Sequence, residues 1–265
     1  MRRMGVVLKV AVFGLVFLAL WGPQALSLRR NGPVSRRLPI LLHRAFLRLF
    51  GVRVRVMGAP PEGPALMVVN HASWLDIPVL ASLTPLSFVA KREVAGWPVV
   101  GLFARLQRCI FLDRTRRSAT AAANARIAER LAEGDAIVLF PEGTSNDGNR
   151  VLPFRSALLG AIEDQGGGAS ILMQPMAITY IGQHGLPMGR QHRPLVAWYG
   201  DLDFMPHIRA FIERGAVDAV VTYGDPVPAD RGMDRKAMSK RLEGTVRELL
   251  VTALRGRPMS VESAS

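Results

Sequence analysis

The sequence is short of cysteine, of acidic residues and of long unbroken apolar runs, and each shortage excludes something. Cys109 is the single cysteine in 265 residues, so neither a disulfide framework nor a thiolate metal cluster can be built. Asp and Glu number 21 against 34 Lys and Arg, a net charge of +13, which draws the surface toward polyanions: nucleic acid, anionic lipid headgroups or phosphorylated metabolites. Charge alone does not choose among them. The apolar run Val10 to Trp21 lies between Lys9 and Gly22-Pro23, and so falls short of the roughly 20 residues that a bilayer span needs. There is no Gly-x-Ser-x-Gly nucleophile elbow, no internal repeat and no metal-ligand spacing. Asp201, Asp203 and His207 come nearest to a metal cluster, but without a second histidine no metal is expected.

What is present fills a core: 49% of residues are hydrophobic and 21% charged. Arg2 and Arg3 ahead of the apolar run give it the shape of a signal peptide, yet no small-x-small cleavage site follows. A second lipid-seeking segment comes next. From Val34 to Phe50, Leu38, Leu42, Phe46 and Leu49 recur at helical spacing with Arg36, Arg37, Arg44 and Arg48 between them. Such a helix suits an anionic membrane surface, with packing on its own domain as the alternative. Basic residues flank the first segment on both sides, so the positive-inside rule places both ends on the cytoplasmic face of the plasma (bacterial inner) membrane. Residues 1–50 are therefore expected to form a re-entrant or half-inserted pair of anchoring helices.

From Gly51 onward short apolar runs alternate with helical patterns, the mark of an α/β domain over 51–255, with a flexible tail at 256–265. The patterns predict strands at Val52–Met57, Ala65–Val69, Ser87–Ala90, Ala136–Phe140, Ile171–Tyr180, Leu195–Trp198 and Ala216–Tyr223. They predict helices at Trp74–Leu83, Ser118–Glu133, Phe204–Glu213 and Arg235–Leu254. Two polar motifs, Asn70 to Asp76 and Pro141 to Ser145, each follow a strand, where open α/β sheets bind ligands.

His71 and Asp76 carry the chemistry in the first motif. Five positions apart on one helix they would sit about 140° apart, so the pair works only with His71 in the strand-exit turn and Asp76 in the helix beyond. Asp76 can then take a hydrogen bond from His71 Nδ1 and leave Nε2 free as a base. Five histidines make this spacing common by chance, and a loop histidine bonded to a helix-capping aspartate is its plain alternative. Ser73 reads as a local cap rather than a nucleophile, and Cys109 as a core residue.

The company of these residues goes further. Asn70-His71-x-Ser73-x-x-Asp76 resembles the first motif of the glycerolipid acyltransferases of lysophosphatidic acid acyltransferase type. Ile110-Phe111-Leu112-Asp113-Arg114 is similar to their second block, Phe140-Pro141-Glu142-Gly143-Thr144 to the third and Pro175-Met176-Ala177-Ile178 to the fourth. Val89 to Glu93, Pro98 and Gly101 continue the likeness. The resemblance implies a single αβα acyltransferase domain with a mixed central sheet behind a membrane-associated helix pair. It also implies an acyl thioester donor, acyl-CoA or acyl-carrier protein, as co-substrate, with no other cofactor. His71 would activate the acceptor hydroxyl, Asp76 would orient His71, and no covalent enzyme intermediate is needed.

By the same resemblance Asn70, Ser73, Arg114, Glu142, Gly143 and Thr144 surround the substrate, with Lys91 a further cation on the phosphate side. A rigid guanidinium fork suits phosphate, and Gly143 lets backbone N–H groups approach an oxyanion. Glu142 would repel phosphate, so it is expected to accept a bond from a hydroxyl or to order nearby cations. One departure stands out: Ser145 takes the place of the Arg that many family members carry after the Thr of the third block. Lysophosphatidic acid, giving phosphatidic acid, is the leading acceptor because Arg114 and Lys91 remain. Lyso-ornithine lipid or another lysolipid is the alternative. Membrane lipids and the lysolipid are thus the expected partners. Hydrolysis by the same His71–Asp76 pair competes less well, and nucleic-acid binding has only the net charge behind it.

Overall fold

The computed structural model describes residues 2–29, 33–113, 117–162, 171–229 and 234–256. Arg114 and residues 257–265 of the expected tail lie outside them. Helix α1 (Arg2–Arg29) and helix α2 (Pro33–Phe50) come first, packed along each other. The sequence places a stop at Gly22-Pro23, but α1 runs through both and ends at Arg29. Proline removes one backbone bond, and the next side chain offsets it: buried Gln24 donates from Nε2 to Ser35 O (2.9 Å) and to Leu106 O (2.8 Å), tying this turn to α2 and to the domain. As a result Gly5–Arg29 is long and apolar enough to cross a membrane. Its outer face, including Val7, Leu8, Leu15 and Leu18, is exposed.

Helix α2 is more deeply docked than its basic pattern suggests. Leu42, Leu47 and Phe50 are buried, and Arg44 Nε donates to Ser82 O (2.8 Å). Burial also pushes the His43 imidazole down to about 4, where Nε2 meets Gln107 Oε1 at 2.9 Å. The helix thus packs on its own domain while α1 carries the outward apolar face.

The domain is a mixed sheet between two helical layers. In chain order come β1 (Val52–Met57), β2 (Ala65–Val69), α3 (Asp76–Ala81), β3 (Ser87–Lys91), α4 (Pro98–Leu106), β4 (Ile110–Leu112), α5 (Arg117–Ala132) and β5 (Ile137–Leu139). Then follow β6 (Ile171–Gln183), β7 (Leu186–Pro187), α6 (Phe204–Arg214), β8 (Val217–Tyr223), β9 (Val227–Ala229) and α7 (Arg235–Leu254). The sheet order is β1-β8-β6-β2-β5-β3-β4, with β7 and β9 pairing antiparallel to β6. Strands β6, β2, β5, β3 and β4 are mutually parallel, whereas β8 runs against β6.

Alternation along each strand sends residues to two cores. Met67 and Val69 of β2 face α2, α3 and α6 with Leu47, Val79 and Phe211. Leu66 and Val68 face α5 and α7 with Ile127, Leu242 and Val246. Because both faces are covered, β2 reads as continuously apolar, and all five of its residues are buried.

One expected strand is not formed. Leu195–Trp198 is instead the end of a short 3-10 helix, Arg193–Leu195, and an irregular stretch. Its backbone groups bond to loops: Val196 O accepts from Ser73 Oγ, Ala197 O from His207 Nε2, and Trp198 N donates to Ala72 O (2.9 Å). The helix expected from Trp74 is also shorter, starting at Asp76. Helix α4, not among the expected helices although Pro98 opens it and its apolar residues share a face, packs against α1 through Phe103, which stacks on Phe13 and Phe17.

Candidate active site

Parallel neighbours β2 and β5 end side by side, so the two polar motifs emerge together at their carboxyl ends. Asn70 makes the exit from β2 rigid. Its Nδ2 donates to Ile178 O (2.9 Å) and its Oδ1 accepts from Ile178 N (2.9 Å), replacing a ladder pair on β6 with a side chain. Asn70 is 1% exposed, and its amide is engaged with the scaffold.

His71 follows in the exit turn, and its Nδ1 lies 2.7 Å from Asp76 Oδ2. Asp76, wholly buried at the start of α3, collects three more donors. Ala72 N (2.8 Å) and Ser73 N (3.0 Å) reach Oδ2, and Tyr180 Oη donates to Oδ1 (2.6 Å). A carboxylate held by four donors is fixed in place. Since the oxygen facing His71 is an acceptor, Nδ1 bears the proton and Nε2 the lone pair. No protein group among the described residues takes up Nε2, and the side chain retains 21% exposure. The imidazole also stacks on Phe140, centroids 4.2 Å apart and planes within 18°, which fixes its tilt.

The second motif clamps the first. Glu142 Oε1 accepts from His71 N (3.0 Å), while Oε2 accepts from Asn146 Nδ2 (2.7 Å) and Leu152 N (3.1 Å). Asn146 N in turn donates to His71 O (3.1 Å). Glu142 is 2% exposed; burial pushes its carboxyl up to about 7, against the pull of these donors. Its role in this geometry is to join the two loops. Gly143, at φ +76°, allows the tight turn that aims the clamp, closed by Gly143 N to Phe140 O (3.1 Å). Thr144 is exposed beside it.

The other expected site residues are placed as follows. Ser73 is buried; its Oγ donates to Val196 O (2.7 Å) and accepts from Leu75 N (3.3 Å), a loop brace as its local reading suggests. Lys91 ends β3, one strand beyond β5 at the same edge, with its side chain exposed. Ser145 Oγ donates to Trp198 O, holding the third block to the 196–198 segment. Cys109 packs against the core, and burial pushes its thiol up to about 12, so it offers no thiolate. Both nitrogens of His207 are engaged, Nδ1 by Trp74 Nε1 (3.0 Å) and Nε2 at Ala197 O (2.9 Å).

Sequence reasoning missed Tyr180 and Asn146. A single hydroxylated aromatic in the apolar strand β6 was the available signal for Tyr180; nothing marked Asn146 among the polar residues of its loop. The assembled group can take a proton at Nε2, hold the resulting imidazolium against a buried carboxylate, and return the proton.

Comparison with known proteins shows the family. Residues 52–179 match the model of a family described as acyltransferase. The chain is 48% identical to a lyso-ornithine lipid O-acyltransferase of Brucella abortus, over 94% of this chain and 95% of that protein. A 1-acyl-sn-glycerol-3-phosphate acyltransferase of Neisseria meningitidis is 29% identical over 82% of this chain and 83% of its own. In fold the chain resembles the crystal structure of the 1-acyl-sn-glycerophosphate acyltransferase PlsC of Thermotoga maritima, with a TM-score of 0.63, 22% identity, and 97% of this chain and 99% of that one covered.

Proposed function

The chain belongs to the acyltransferase family, and on that premise we propose that it moves a fatty acyl group from a thioester donor to the free hydroxyl of lyso-ornithine lipid, with His71 as general base. At the coarser level it is an acyltransferase of lysolipid type. The observation that carries the mechanism is the His71 Nδ1 to Asp76 Oδ2 contact of 2.7 Å with Nε2 left open.

Nε2 takes the proton as the acceptor oxygen attacks the thioester carbonyl carbon. Asp76 holds Nδ1–H throughout and stabilises the imidazolium without itself taking the proton. Collapse of the tetrahedral intermediate breaks the C–S bond, and the departing thiolate of CoA or carrier protein recovers the proton from Nε2. Glu142 and Asn146 keep the two loops in register, and Tyr180 keeps Asp76 in position. Lys91, exposed at this edge, and by resemblance Arg114 would serve anionic groups of donor or acceptor. The outer face of α1 would bring the site to the membrane that supplies the lysolipid.

Two facts favour lyso-ornithine lipid over lysophosphatidic acid, the acceptor that leads from sequence alone. The Brucella abortus relative named for lyso-ornithine lipid matches at 48% identity over 94% of this chain, the Neisseria meningitidis relative at 29% over 82%. Ser145, where a phosphate-binding arginine is common, is instead bonded to Trp198 O. The test is transfer from one acyl donor to lyso-ornithine lipid, lysophosphatidic acid and other lysophospholipids, read by product mass. Diacylated ornithine lipid is expected, with a loss of roughly 100- to 10,000-fold in His71→Ala. Transfer to lysophosphatidic acid alone would overturn the acceptor; undiminished transfer by His71→Ala would overturn the mechanism. Release of free fatty acid without a diacylated product would mark a hydrolase.

A further inference from the structure

We propose that a basic cavity at the edge of the sheet opposite His71, beneath the first turns of α2, binds a phosphate-bearing anion. The cavity, about 340 Å³, is bordered by Arg36 and Arg37 of α2, by Ser87 and Ala136 at the amino ends of β3 and β5, and by Arg108 and Asp135. Glu142 lies past the carboxyl end of β5 and His71 past that of its parallel neighbour β2, so roughly 17 Å of strand separates the two places.

Among the described residues the basic side chains there outnumber the acidic ones. One buried carboxylate, Asp135, serves three guanidiniums: Arg36 Nε at 3.0 Å, Arg108 Nη1 at 3.2 Å, and Arg130 Nε. Glu133, 3.8 Å from Arg130, adds only a half-exposed second acid. Burial first, then repulsion from Arg130, lowers the Arg108 guanidinium from its ordinary value, and Arg36 lowers it further. Arg36 Nε is buried, and its approach to Asp135 is not aligned as a hydrogen bond, so a donor is left over. Arg37 makes no hydrogen bond or ion pair among the described residues. Among the described residues the cavity wall thus presents three guanidiniums, Arg36, Arg37 and Arg108, against the Asp135 carboxylate, together with Ser35, Thr84 and Ser87. A tetrahedral oxyanion with several acceptor oxygens supplies the missing countercharge, and forked arginine donors fit it.

Such an anion has two sources, a lipid headgroup or free phosphate, and the experiment separates them. The full chain in detergent is melted with about 20 mM inorganic phosphate or with chloride at equal ionic strength, as wild type, Arg37→Gln and Arg55→Gln. Arg55 is an exposed β1 residue that controls for bulk charge. Phosphate should raise the wild-type and Arg55→Gln midpoints by roughly 2–4 °C and leave Arg37→Gln unmoved. Flotation with vesicles of phosphatidylcholine, with or without phosphatidylglycerol, assigns the source. A loss of phosphatidylglycerol-dependent binding by about tenfold, confined to Arg37→Gln, identifies a lipid headgroup. Equal vesicle binding by the two variants, with the midpoint shift lost only in Arg37→Gln, identifies free phosphate. The proposal is overturned if phosphate shifts Arg37→Gln as much as wild type, or if wild type shows no shift and the two variants bind vesicles alike.

Discussion

Replacing Tyr180 by Phe removes one oxygen and tests whether the aspartate behind His71 is held in place from β6. The hydroxyl donates to Asp76 Oδ1 at 2.6 Å, and burial together with the Asp76 charge holds its own ionisation well above the ordinary range, so it remains a donor at any working pH. Phe keeps the ring in the core that Tyr180 shares with Ile178 and Val221. The loss is then one hydrogen bond to a buried charge, about 1.5–3 kcal/mol, which lowers the melting midpoint by roughly 4–9 °C. Asp76 retains His71, Ala72 N and Ser73 N, all on Oδ2, and is free to rotate about that oxygen. Loss of orientation at His71 should reduce kcat about tenfold, equivalent to about 1.4 kcal/mol, with KM within about twofold. Thermal unfolding and steady-state transfer on the same preparation measure both. A variant with wild-type kcat and midpoint would refute the positioning of Asp76 from β6, and one that lost only stability would reduce Tyr180 to packing.

Asn70→Ala should cost about 2–4 kcal/mol in urea unfolding, because the N–H and C=O of Ile178 lose their partner, while KM for the acceptor stays unchanged in the folded fraction; a raised KM without lost stability would make Asn70 a substrate ligand. For Glu142 the folded carboxyl titrates near 7 against about 4.5 unfolded, so the folded state holds the proton more tightly and stability falls as pH rises from about 4.5 to 7, by up to about 3 kcal/mol. Urea unfolding across that range should show the decline, and Glu142→Gln should remove this part of it; a decline of equal size in the variant would place its origin elsewhere. Leu15→Lys combined with Leu18→Lys, at positions 67% and 63% exposed, should move the protein from the membrane fraction to the supernatant with the midpoint changed by less than about 2 °C. Full membrane retention would show that α1 does not carry the attachment.

Much of the site could be read in the sequence because its geometry is short-range. His71, the N–H groups of Ala72 and Ser73, and Asp76 all lie within one turn and the helix start beyond it, so spacing alone implies their contact. Asn70 and Tyr180 could not be read so. Each acts on a partner more than a hundred positions away, brought close only because β6 pairs with β2. The strand pattern at Leu195–Trp198 failed because apolar burial there comes from packing beneath loops, and its backbone bonds go to Ser73, Ala72 and His207 rather than to a neighbouring strand. For α2 the basic residues pointed to lipid, but Arg44 donates to Ser82 O and Arg36 lies against Glu133 O and Asp135, partners that no helical period reveals.

The serine at position 145 bears on the proposed choice of acceptor. Its hydroxyl is the latch on Trp198 O, and Trp198 N is itself bonded to Ala72 O beside His71. An arginine introduced at 145 to capture a phosphate would release the 196–198 segment at the same stroke, loosening the wall next to His71. On the proposed reading, acceptor choice and the order of the loop at His71 are therefore epistatic. A mutational route between the two lysolipids has to rebuild the segment around Trp198 before, or together with, the exchange at 145, and single-residue swaps should yield poor enzymes rather than converted ones.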